Sequence, residues 1–278
     1  MTSYQILYEA AKDIIQKDPD LKNDYDDHLA HDSNSAKDLD DLFLNFVRHS
    51  QNRSQGGAIN LYKLNNPKGN PKLVAAVENV IKSHHYTPSD YLSLYQEFAK
   101  DPTVGIDLNA ANLKSEKSVR YFGFAKTCVG IHKYIFNYQD LNDFCSNHQF
   151  SGKYGNDIKI VQSTVKNIYN VSTALALDFY KEQSCLDDYG RKLLCKPDTH
   201  MLDVFRQLSG QSNLTEKGVV QEMDKLYQDF QKDPLFVKGH EPYYLDKMIF
   251  VIGEKRGGTG KNTLVSQAKA NGFVWQLL

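Results

Sequence analysis

Apolar residues recur at helical spacing along most of this chain. Residues 3–17 place Ile6, Leu7, Ala10 and Ile14 on one helix face, and 39–48 repeat the stripe with Leu39, Leu42, Phe43, Phe46 and Val47. A polar segment containing Gly56, Gly57, Asn65, Asn66, Pro67, Gly69, Asn70 and Pro71 breaks the pattern until Val74, Val77, Val80 and Ile81 resume it. A stretch of that length predicts a functional loop. Thr87-Pro88-Ser89-Asp90 reads as a helix start, with a capping hydroxyl followed by proline at the first helical position. Tyr91, Leu94, Tyr95 and Phe98 carry the stripe onward to a stop at Asp101-Pro102. Residues 116–137 are mostly apolar, and the spacing of Phe122, Ala125, Val129, His132 and Phe136 predicts a central helix with His132 as a core histidine. Further helical patterns cover 157–167, 172–183, 199–208, 215–231 and 243–252, while strand-like alternation is nowhere long enough for a sheet. The expected class is mostly α, without internal repeats or low-complexity tracts.

Composition narrows the picture. With 278 residues, 41% of them hydrophobic, the chain can bury one large core or two modest ones. No apolar run reaches the roughly eighteen positions that a bilayer helix needs. The start, Met1-Thr2-Ser3-Tyr4-Gln5, lacks the basic segment and apolar stretch of a secretory signal, so a cytoplasmic protein is expected. Cys128, Cys145, Cys185 and Cys195 show neither paired CxxC spacing nor the density of a disulfide scaffold. They read as reduced thiols, mostly in the core, which excludes a cysteine-ligated zinc or iron–sulfur cluster.

The formal net charge of −1 hides an asymmetry. Residues 1–48 carry 11 acidic and 5 basic side chains, which leaves 23 acidic and 28 basic over 49–278. A positive face there suits a phosphate backbone, yet nucleic-acid binders usually show a larger basic excess and an unevenly charged solvated surface gives the same count. Other residues must decide.

Gly257-Gly258-Thr259-Gly260-Lys261-Asn262-Thr263 resembles a phosphate-binding loop but fails two of its requirements. Lys255 stands where the first glycine belongs, and Asn262 replaces the hydroxyl residue that follows the lysine and binds magnesium. A flexible basic loop that touches nucleic-acid phosphates through Lys261, or a plain surface turn, is the expectation here. More informative is Ile168-Tyr169-Asn170-Val171-Ser172-Thr173, a short connector between one amphipathic helix (Ile158, Ile160, Val161, Val165) and a second apolar one (Ala174 to Phe179). The second helix begins at the turn, so its unpaired N–H groups and positive dipole end suit one phosphate of a nucleic-acid strand, with Lys166 nearby. An ordinary helical hairpin is the bland alternative.

Lys196-Pro197-Asp198-Thr199-His200-Met201 follows, with Asp198 as a helix N-cap and Leu202, Val204, Phe205 and Leu208 at helix spacing behind it. The order helix, tight turn, apolar helix, connector, Pro-Asp-Thr-His, amphipathic helix resembles the helix-hairpin-helix superfamily of DNA base-excision glycosylases, typified by endonuclease III. Asp198 matches the functional aspartate of that family. Val47-Arg48-His49-Ser50-Gln51-Asn52 resembles the end of its early helix, from which a polar side chain enters the DNA stack. Residues 118–136 resemble its later central helix, and Leu245-Asp246-Lys247-Met248-Ile249-Phe250-Val251-Ile252-Gly253 resembles the apolar helix that ends in glycine and closes the helical barrel. The resemblance covers roughly 40–253, with 156–208 its most specific part, inside a single two-lobed helical unit over 1–278.

Departures from the family matter equally. Where the hairpin usually reads Leu-Pro-Gly-Val-Gly, Tyr169, Asn170 and Ser172 replace the proline and both glycines. Asparagine tolerates the left-handed conformation and serine less so. The lysine that lets bifunctional members cleave the strand is replaced by Ala174, and the cluster-binding cysteines are missing.

The resemblance implies a monofunctional DNA glycosylase. Asp198 would stabilise the positive charge that develops on the sugar and activate water, Gln51 or Asn52 would fill the gap left by an extruded base, and Lys166, Tyr169, Asn170, Val171, Ser172, Thr173, His200 and Lys261 would contact DNA. It implies double-stranded DNA with a modified base as partner, a monomer, no membrane, no metal, and no cofactor beyond a monovalent cation at the hairpin. In a bacterium the protein would associate with the nucleoid. The long 51–72 segment suits a bulky modified pyrimidine of phage DNA, hence antiviral defence. Three alternatives stand beside this reading: a housekeeping base-excision repair glycosylase, a phage-type enzyme that processes hypermodified thymine, and a non-catalytic DNA-binding protein on the same scaffold.

Overall fold

A computed structural model of the protein describes residues 1–31, 36–50, 75, 77–79, 91–100 and 116–275. The described residues form helices α1 (Ser3–Lys17), α2 (Pro19–His31), α3 (Leu39–Ser50), α4 (Tyr91–Ala99), α5 (Glu116–Ile135), α6 (Leu141–Asn147), α7 (Tyr154–Val165), α8 (Thr173–Glu182), α9 (Asp188–Lys192), α10 (Thr199–Ser209), α11 (Glu216–Gln231) and α12 (Pro242–Ala270). Among them there is no strand, so the class is mostly α. No described helix is long and apolar enough to cross a membrane. The chain divides into two compact units: the first holds Met1–Ser35, Gln149–Ile158 and Tyr180–Leu278, the second Ala36–His148 and Lys159–Phe179.

In the first unit, α12 packs against α1, α2, α9 and α10. Leu245, Met248, Ile249, Val251 and Ile252 of α12 are buried with Tyr4, Leu7 and Ala11 of α1 and with Met201, Val204 and Phe205 of α10. The helix does not end at Gly253, and no loop follows. It runs on to Ala270, broken only at Gly257, whose φ of 54° and ψ of −140° suit glycine alone. Beyond that break Leu264, Val265 and Ala268 form a second buried stripe, so the glycine-rich motif read as a loop is a helix with an apolar face. Its basic residues are engaged: Lys261 pairs with Asp203, Lys255 with Asp24 at 3.0 Å, and Arg256 with Asp18 at 2.6 Å.

Those last two contacts bring the acidic helix α2 onto α12 and neutralise part of the charge asymmetry internally. Helix α2 escapes the periodicity because Leu21 is its sole buried hydrophobic residue. A side-chain cap and a proline open it. Asp18 accepts hydrogen bonds from the N–H groups of Asp20 and Leu21, at 3.1 and 3.3 Å, just before Pro19.

In the second unit, α5 packs against α3 and α4. Phe43, Phe46, Val129, Ile131, Phe144 and Phe179 form its buried centre, with the Phe46 and Phe179 rings stacked at 4.1 Å. His132 is buried as expected, its ring 4.5 Å from that of Phe136. Cys128 and Cys195 are buried, Cys145 and Cys185 half-buried, and none of the four is in a disulfide.

His148 should make this unit acid-sensitive. The buried ring donates from Nδ1 to the Phe144 carbonyl and accepts the Tyr134 hydroxyl at Nε2, both at 2.6 Å, so its neutral form fits and a second proton on Nε2 costs the hydrogen bond that Tyr134 donates. Burial holds its pKa below the ordinary 6.5, although the bond to the Phe144 carbonyl opposes the shift. Below pH 6.5 the unfolded chain therefore binds the proton that the folded chain excludes, and stability is lost as the pH falls from there toward the folded value. The urea midpoint should drop between neutral pH and pH 5.5, and His148→Phe should make that drop shallower. An unchanged slope would remove His148 as its source.

Candidate functional site

The expected site residues fall in both units. Asp198, His200 and Lys261 belong to the first; Lys166 and Tyr169–Thr173 belong to the second. Gln51, Asn52 and the rest of 51–72 lie outside the described residues.

Asp198 caps α10 as its sequence predicts. Its Oδ1 accepts the N–H groups of His200 and Met201, each at 2.9 Å, while Oδ2 takes no hydrogen bond from the described residues. A tight turn delivers it there: the Asp198 N–H donates to the Lys196 carbonyl at 2.8 Å across the buried Pro197. The half-buried carboxylate thus has one oxygen fixed by the helix and one uncommitted.

Beneath this turn lies a charged pair that periodicity alone does not reveal. Asp246 of α12 is 2% exposed, and its Oδ2 accepts both Lys181 Nζ at 2.6 Å and the Lys196 N–H at 2.8 Å. The carboxylate therefore ties the end of α8 to the segment that carries Asp198. Burial pushes the Asp246 carboxyl above its ordinary range, and the Lys181 ammonium opposes the shift. Arg191 donates to the Lys181 carbonyl at 2.9 Å, and Lys247 pairs with Glu182, which completes a cross-link of α8, α9 and α12. Cys195 sits fully buried beside this pair, where burial pushes its thiol up and keeps it protonated. A signal did exist: Asp246 and Lys247 interrupt an apolar run at positions that the helix must bury.

His200 is half-buried. Its ring fills a notch at Gly253, where a Cβ would lie 2.3 Å from Nδ1, and it meets Phe250 edge-on at 5.7 Å. Gly253 is therefore required for close packing rather than to end a helix. Lys261, expected in a loop, is mostly buried in α12 and bound to Asp203.

The hairpin turn shows how the family's glycines are replaced. Asn170 takes the left-handed conformation at φ 60°, while Ser172 does not and instead caps α8, its Oγ accepting the Leu175 N–H at 3.3 Å. Ile168 and Val171 are buried and anchor the turn; Lys166, Tyr169, Asn170 and Ser172 are exposed. Helix α5 presents a matching strip to it. A Cβ at Gly130 would lie 3.2 Å from the Ile168 Cα, one at Gly123 would lie 3.3 Å from the Tyr169 ring, and between them Thr127 Oγ1 donates to the Tyr169 carbonyl at 2.8 Å. Two glycines seven residues apart with a threonine between them thus share one helix face, but the turn they admit lies about forty residues away in the chain.

Metal-ligating chemistry within the first unit is confined, among the described residues, to Asp24, His28 and Glu254, whose ligand atoms lie within 4.8 Å of one another near the surface. Lys255 already holds Asp24 there. No protein-family model, no curated protein and no solved structure matches the chain.

Proposed function

We propose that the protein is a monofunctional DNA glycosylase on a two-lobed helix-hairpin-helix scaffold, which extrudes a modified base and hydrolyses its N-glycosyl bond. The observation that carries this reading is Asp198. Its carboxylate is fixed through one oxygen at the start of α10, leaves the other uncommitted, and follows in sequence a hairpin with a left-handed turn and a capped second helix. A carboxylate so held stabilises positive charge on the sugar as the bond between C1′ and the base nitrogen breaks. The same oxygen takes a proton from the water that attacks C1′, the base nitrogen leaves with the electron pair of the broken bond, and that proton passes on to it, so the products are the free base and an abasic site. Ala174 is buried where a lyase would need a nucleophilic lysine, which supports hydrolysis without strand cleavage.

The substrate that suits this chain is a bulky modified pyrimidine of phage DNA, because the 51–72 segment next to Gln51 and Asn52 supplies more loop-forming residues than a tight pocket for a small lesion needs. Mass spectrometry of bases released from modified phage DNA and from host DNA tests both parts. The expected result is release of the modified pyrimidine, with strands intact until alkali is added. Excision of uracil or 3-methyladenine alone returns the repair reading; binding without any release returns the non-catalytic one; and a borohydride-trapped adduct contradicts the monofunctional mechanism.

A further inference from the structure

We infer that the hairpin turn carries a stacking surface for an unpaired nucleotide, with Tyr169 under the base and Lys126, Lys166 and the first turn of α8 beside its phosphate. The inference rests on the reading of the chain as a DNA-binding protein and adds a contact beyond phosphate capture.

Tyr169 is 49% exposed although its backbone is firmly held. Its carbonyl accepts the Thr127 hydroxyl at 2.8 Å, the turn is seated on the strip between Gly123 and Gly130, and Asn170 fixes the reversal at φ 60°. The ring is thus ordered before any ligand arrives, so little conformational entropy is lost on binding. Lys126 sits over it, with Nζ 4.9 Å from the Tyr169 centroid, 5.2 Å from that of Tyr91 and 5.4 Å from that of Phe122. This cation holds the ring from one side and adds positive charge at the edge of an exposed aromatic surface.

Charge complementarity names the occupant. Lys126 and the exposed Lys166 flank the turn, and the first N–H groups of α8, at Thr173 and Ala174, have no carbonyl within the helix to accept them. The second unit as a whole carries 15 basic and 12 acidic residues. An aromatic face beside basic groups and a helix N-terminus fits a base and its phosphate, and stacking of this kind needs a base that is not already stacked in a duplex.

Fluorescence anisotropy with a labelled oligothymidine strand, the same strand in duplex, and an RNA strand of equivalent sequence tests the inference. Tyr169→Ala should weaken binding of the single DNA strand by about tenfold or more and binding of the duplex by less, while Tyr169→Phe should match wild type. Lys126→Met should weaken binding and make its salt dependence shallower. In Tyr169→Trp the added indole should be quenched by the single strand. Because Tyr169 is half exposed, thermal melting of its variants should stay close to wild type. Equal single-strand affinity for wild type and Tyr169→Ala overturns the inference and leaves the glycosylase reading standing. Tighter binding of RNA than of DNA also overturns it, and failure of wild type to bind any DNA overturns both.

Discussion

Asp198→Asn should abolish base release, by about a thousandfold or more, while the fold survives. Asparagine keeps the size of the side chain and an oxygen able to accept the His200 and Met201 N–H groups, so the cap on α10 persists. What disappears is the negative charge on the uncommitted oxygen and its ability to take a proton from water. Asp198→Ala removes the cap as well and should cost about 1 kcal/mol of stability in addition to activity. Single-turnover release measured beside urea midpoints separates the two effects. Full turnover by Asp198→Asn would remove this residue from the mechanism.

Lys181→Met should destabilise the first unit by about 3–5 kcal/mol, because it leaves the Asp246 carboxylate buried without its ammonium. Combining it with Asp246→Leu removes both charges and should recover much of that loss. The remaining deficit, about 1–3 kcal/mol, reflects the Lys196 N–H, which then has no carboxylate to accept it. Since that N–H lies two residues before Asp198, base release should be impaired in the double variant even where the fold is restored. Urea titrations of wild type, the single variant and the double variant decide the matter. A single variant as stable as wild type would show that the pair does not compensate buried charge.

Much of the helical architecture was legible in the sequence. The stripes at 3–17, 39–48, 199–208 and 215–231 became α1, α3, α10 and α11 with ends shifted by two residues at most, since a strong apolar face leaves little freedom in what a helix buries. The cap at Asp198 was legible for a similar reason, because its bonds reach only the next few residues. Helix α2 was not, as its faces are nearly all polar and its position depends on Arg256 and Lys255, far away in the chain. The 257–263 segment misled for the opposite reason. Its glycines signal a break, and a break is present at Gly257, but Leu264, Val265 and Ala268 continue the helix by burial against partners more distant in sequence.

By itself, then, the sequence determined the mostly helical class, the boundaries of the strongly amphipathic helices, the cap at Asp198 and the tolerance of Asn170 for a left-handed turn. Each of these depends on residues within a few positions of one another, where spacing and backbone preference suffice. Tertiary structure alone decided that Asp246 and Lys181 bury their charges together, that Gly253 makes room for His200, that Lys261 is held by Asp203, and that Gly123 and Gly130 admit the hairpin turn. These contacts join residues separated by tens of positions, and no local preference encodes which distant group will stand opposite a buried charge or a missing side chain.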